Sequence, residues 1–154
     1  MLVALVLQAS AAQPLPRDVW ASLSSSVDLA HTSETVEYLR AEGGVMKDTI
    51  TLRFTARRQG EVLKVMWTDS RTCPAVAEAV DALRSVPMPT PVVPGDPENI
   101  ILHGVGYSVR FNGRYGSEMG VPLELRSNAG TPLAAWVSDI FRRLKPCWSE
   151  TRPS

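Results

Sequence analysis

The stretch ITLRFTARRQGEVLKVMWTDSRTCPAVAEAVDAL, Ile50 to Leu83, changes its hydrophobic period part-way along, and that change decides the fold. Ile50, Leu52, Phe54 and Ala56 alternate with Thr51, Arg53, Thr55 and Arg57, the period of a half-buried strand, over residues 48–58. Gln59-Gly60 turns the chain into a second strand over 61–68, where Leu63, Val65 and Trp67 form the expected buried side and Val62, Lys64 and Met66 the other. At Cys73-Pro74 the period becomes helical. Proline suits the first helical position, and Val76, Ala79, Val80 and Leu83 make a stripe that ends near Val86.

Working outward, residues 35–40 have strand character and Gly43-Gly44 offers a reversal, which makes three antiparallel strands before the helix. Residues 87–97 are too rich in proline for a helix or an inner strand and read as a surface crossover. Beyond it the plan repeats. A strand is expected over 99–103, then Val105, Tyr107, Val109 and Phe111 oppose Ser108 and Arg110, and Asn112-Gly113 signals a hairpin. Glycines 113, 116 and 120 shape that hairpin's loop; they lead into a strand, unlike the glycines of a phosphate loop. Val121, Leu123 and Leu125 oppose Glu124 and Arg126 on the last strand. Thr131 caps a helix that starts at Pro132, buries Leu133, Trp136, Val137, Ile140 and Leu144, and stops before Pro146.

The expected fold is α+β: an antiparallel sheet in two βββα halves with two helices packed on one face. The helices align as CPAVAEAVDAL against TPLAAWVSDIF, either through internal duplication or because two amphipathic helices demand similar patterns. The 154 residues suffice for one domain with a real core, assigned to residues 13–154. Residues 1–12 read as a signal peptide, with an apolar run from Leu2 to Leu7 and small residues after it, although no Lys or Arg precedes the run. Export from a bacterial cell, to the periplasm or beyond, is the expected localisation; arginine, alanine and proline usage suits a GC-rich source. No apolar run is long enough to span a bilayer as a helix.

In an exported chain, an even cysteine count points to a disulfide, here Cys73–Cys147. A helix N-terminus could instead make Cys73 a reactive thiolate, but no CxxC spacing and no neighbouring His or Asn supports that chemistry. His31 and His103 lack companions at metal-ligand spacing, and no GxSxG elbow is present, so neither a metal nor a cofactor is expected, and no catalytic constellation emerges to favour an enzyme. Acidic and basic residues balance at 16 each, which removes the net field that would draw the chain to nucleic acid.

What remains is the polar side of the sheet. Arg53, Arg57, Lys64, Arg110, Glu124 and Arg126 are expected to project together, with Arg114 and Tyr115 at the hairpin tip. Guanidinium groups bind carboxylate and phosphate bidentately, so the favoured function is a non-enzymatic binding or inhibitor-type protein. Its partner would be an envelope protein or a small anionic ligand. The alternative is a small secreted hydrolase with a site around His103 and the 107–115 hairpin. Trp67 and Trp136 are expected in the core, and Trp148 over the cysteine bridge.

Overall fold

The computed structural model describes residues 15–40, 49–91, 93, 104–115 and 118–153, excepting the side chains at 115, 118 and 119. Its strands are β1 (Val19–Val27), β2 (Thr32–Leu39), β3 (Thr51–Arg58), β4 (Glu61–Asp69), β5 (Val105–Tyr115) and β6 (Glu118–Asn128). They pair antiparallel in one sheet of order β4-β3-β2-β1-β5-β6. The helices are α1 (Pro74–Ala82) and α2 (Pro132–Leu144), each followed by a single 3₁₀ turn. The α+β class with an antiparallel sheet is therefore as the sequence implies.

Cross-strand register shows which side is buried. Leu23, Val36, Leu52 and Val109 belong to one buried cluster with Val76 and Ala79 of α1 and Leu133, Val137, Ile140 and Leu144 of α2. Both helices thus cover the same face. Tyr38 is fully buried there, its hydroxyl donating to the Ala79 carbonyl at 3.3 Å, and burial pushes its phenol well above the usual range. Cys73 and Cys147 form the expected disulfide, with their Cα atoms 5.8 Å apart, joining the start of α1 to the end of α2. Glu78 of α1 then lies 3.6 Å from Arg143 of α2, as two antiparallel helices require. Thr131 Oγ1 accepts the Ala134 N–H at 3.1 Å and caps α2.

The sequence reading departs from the structure in three places. It has no counterpart to β1, which lies centrally between β2 and β5, and it starts β2 late. Four strands consequently precede α1, and two of the described strands precede α2. It also inverts β4. Phe54 pairs with Met66 and Arg53 with Trp67, so Met66 faces the helices, whereas Trp67 and Val65 lie on the opposite face. The same register sets Ala56 against Lys64, which puts Lys64 on the helix side, and a bulge beyond that pair sets Arg57 against Val62. Finally, Asn112-Gly113 is not the hairpin turn: β5 runs on through both residues, which pair with Pro122 and Val121, and Gly113 and Gly120 lie within β5 and β6. The first helix ends as expected, α1 passing at Ala82 into the 3₁₀ turn Leu83–Ser85 that is capped at Val86. Trp136 and Trp148 do pack against the core, Trp148 5.5 Å from Phe54.

The signal peptide over 1–12, the Gly43-Gly44 reversal, the strand over 99–103 and most of the 87–97 crossover lie outside the described residues; 87–91 and 93 have no regular structure. Among the described residues, no helix is long and apolar enough to cross a membrane.

One acidic side chain organises the passage from β4 to α1. Asp69 is fully buried, and its carboxylate accepts the backbone N–H groups of Arg71 and Thr72, both at 3.0 Å. It also accepts the Thr72 hydroxyl at 2.9 Å and the Arg71 guanidinium at 2.7 and 2.9 Å. Burial pushes this carboxyl upward, but the hydrogen bonds outweigh it and hold it below the ordinary aspartate value. Its Cys73 neighbour is fixed too, by a 3.0 Å bond from the Cys73 N–H to the Asp69 carbonyl.

Three outcomes are expected. Replacing both cysteines by serine should lower unfolding free energy by about 2–5 kcal/mol in urea titrations, with little change in native far-ultraviolet dichroism. For Asp69, the folded carboxyl titrates below the ordinary value of 3.8, so its stabilisation is complete above that pH and fades as pH falls through the folded value. Asp69→Asn should cost about 1–3 kcal/mol at neutral pH, and the gap from wild type should close in acid. Thr68, almost wholly buried, has a hydroxyl with no hydrogen-bond partner among the described residues. Thr68→Val should therefore leave the melting temperature unchanged or raise it.

Candidate functional site

The face opposite the helices is built from alternate residues of all six strands. One register row runs Trp67, Arg53, Glu37, Ser22, Arg110, Glu124 from edge to edge. The next runs Val65, Thr55, Thr35, Ser24, Ser108, Arg126. Arg57, Ser33, Ser26, Gly106 and Asn128 make a third. Strand pairing thus brings Arg53, Arg57, Arg110 and Arg126 onto one face, as alternation implies for all but Lys64. Neither described helix lies over it.

Arg53 is held firmly. Its Nε donates to Glu37 Oε2 at 2.6 Å, Asp18 stands 3.8 Å from it, and its guanidinium lies 5.8 Å from the Trp67 ring centre. The bond to Glu37 raises its pKa, with partial burial opposing. Arg152 approaches the same ring at 5.1 Å, so Trp67, misassigned to the core by its hydrophobicity, serves as a cation platform. Arg126 donates to Glu124 at 2.9 Å and is otherwise largely exposed. Arg57 is exposed and donates to the Gly60 carbonyl at 3.1 Å.

Arg53 and Arg126 are therefore each partnered by an acid one strand or two residues away. Within the three rows, Arg53, Arg57, Arg110 and Arg126 stand against Glu37 and Glu124, an excess of two positive charges, and beside the rows Asp18 near Arg53 offsets Arg152 over Trp67. That excess arises in a chain whose total charge is balanced.

Between the arginines lies a surface of short hydroxyl side chains that hydrophobic pattern alone does not reveal. Ser24 and Ser108 hydrogen-bond to each other at 2.7 Å, and Ser22 and Thr55 are nearly buried by their taller neighbours. A concavity of about 440 Å³ opens here, lined by Ser24, Ser26, Gly106, Ser108 and Arg126 among others. The alternation of Ser22, Ser24 and Ser26 with Ala21 and Leu23 was the available signal.

The hairpin reading gathers less. Arg114 is exposed on β5, the Tyr115 side chain and His103 lie outside the described residues, and Tyr107 packs against the core cluster on the helix side. His31, in the left-handed region at φ 48°, is a turn residue whose carbonyl accepts the Gln59 N–H at 2.7 Å, tying two hairpin tips together. Among the described residues no group of three or more His, Cys, Asp or Glu gathers at metal-binding distance.

A second concavity, of about 700 Å³, lies on the helix side between β3, β4 and the end of α2, floored by Phe54, Met66, Phe141 and Trp148. Lys64 and Arg142 on its rim are each already paired, with Glu150 and Asp139.

Compared with protein-family models, curated proteins and solved structures, the chain matches none.

Proposed function

We propose that this is an exported, non-enzymatic binding protein that docks a carboxylate- or phosphate-bearing partner on its uncovered sheet face. The observation that carries the reading is sidedness: both helices occupy one face, and in the strand rows of the other, four arginines stand against two acids. Planar guanidinium groups standing on a rigid sheet are positioned to bind an anion bidentately at low ordering cost. The disulfide suits an oxidising compartment such as a bacterial periplasm or the medium outside the cell.

Arg53 is a poor choice for a test, since its removal strands Glu37, whose side chain is only 17% exposed. Arg57 is exposed and donates to a backbone carbonyl of its own turn, so alanine suits it, whereas Arg126 holds Glu124, whose side chain is only 14% exposed, and is better replaced by glutamine, which keeps a donor where Nε donates. Tagged protein crosslinked in the cell envelope should capture its partner, and Arg57→Ala with Arg126→Gln should reduce capture by about tenfold or more without altering the melting temperature. Equal capture by the double variant would refute docking on this face.

A further inference from the structure

We infer that the ligand of the uncovered sheet face is an acidic saccharide, a chain of sugar units bearing carboxylates; the inference rests on the reading of that face as the binding surface. It comes from what lies between the arginines. Thr55, Thr35, Ser24 and Ser108 follow one another in a single register row over four neighbouring strands, β3, β2, β1 and β5. With strands about 4.8 Å apart, that row extends about 14 Å across the sheet. The row beside it adds Ser33, Ser26 and Gly106. Together they form a low, polar, uncharged floor. Arg57 stands at one end, Arg126 beside Ser108 at the other, and the Arg53–Glu37–Ser22–Arg110 row runs along one flank.

The chemistry of this floor discriminates among partners. Protein interfaces take their energy from buried aromatic and arginine anchors and are depleted in serine, so a floor of hydroxyls is a weak protein-docking surface. Single-stranded nucleic acid requires aromatic platforms between its phosphate contacts, and the floor has none. A hydroxyl both donates and accepts, which matches the hydroxyls of a sugar group for group. Ser24 and Ser108 are already bonded to each other and retain capacity for a ligand, so the floor is ordered before anything binds. The arginines at its ends supply the requirement for acid groups. Arg126, whose side chain is 76% exposed, holds Glu124 through Nε, and its terminal amino groups can meet a ligand carboxylate without breaking that pair.

Gly106 fits the same picture. A Cβ built there would stand 3.2 Å from Ser26 Oγ, so any side chain at this position crowds the floor. Glycine keeps the concavity open beside Ser26 and Ser108.

The test is a titration of the whole chain, followed by backbone amide resonances, with three probes: a short oligogalacturonate, its fully methyl-esterified form, and an acidic polyglutamate peptide. Oligogalacturonate should shift the amides of Thr35, Ser24, Ser26 and Ser108, and the ester and the peptide should bind at least about tenfold more weakly. Ser24→Ala with Ser108→Ala should weaken oligogalacturonate by about tenfold with a melting temperature near wild type, and Gly106→Val should block it. Polyglutamate binding as well as oligogalacturonate, with no effect of the serine substitutions, would overturn the saccharide inference and leave arginine docking standing. Absence of shifts on this face with oligogalacturonate would also overturn it, whereas the docking reading itself falls only if envelope capture survives Arg57→Ala with Arg126→Gln.

Discussion

The placement of both helices on one face is the constraint from which the rest of the molecule follows. Val76 and Ala79 of one helix and Val137, Ile140 and Leu144 of the other share a cluster with the sheet. The Cys73–Cys147 bond closes the arrangement across 74 residues of chain, shrinking the unfolded ensemble and holding α1 antiparallel to α2. A six-stranded sheet has two faces, and apolar burial has been spent on one. The other is consequently free to carry hydroxyls and charges in any pattern, constrained only by strand register.

Sequence pattern made some of this legible and left some hidden, for identifiable reasons. β3 was plain because Leu52 and Phe54 alternate with Arg53 and Thr55 without interruption. Both helix starts were plain because Pro74 and Pro132 follow extended residues at a change of period. β1 is hard to read from the pattern because its run from Ser22 to Ser26 holds one large apolar residue, Leu23, and serine has little strand preference. It is nevertheless central, its small side chains fitting between taller neighbours. β4 misled because apolar residues occupy both of its faces: Val65 and Trp67 are as hydrophobic as Met66, and only pairing with β3 decides which set turns inward. Among the site residues, alternation sufficed to put the arginines on one face. Their acids, Glu37 and Glu124, became partners only through tertiary register and a local reach along β6.

Asp69 illustrates a different kind of hidden residue. By composition it is one of many acidic side chains, yet it is the one buried carboxylate among the described residues, and it receives five hydrogen bonds from the two residues that follow the next serine. These bonds bring Cys73 into position before the helix begins. A local turn thus sets one end of a covalent link whose other end lies far along the chain, so the folding of Asp69 to Thr72 and the pairing of the thiols are coupled.

The bridge between Trp67 and Ser149, two backbone hydrogen bonds of 2.7 and 2.9 Å, has a meaning beyond local order. β4 is an outer strand with Val62, Leu63 and Val65 exposed, the type of border on which another chain can grow a strand. Ser149 occupies the hydrogen-bonding positions at one end of that border, and the bulge between Ala56 and Arg57 skews the other. The protein thereby keeps an apolar rim while denying neighbouring molecules a straight template for polymerisation.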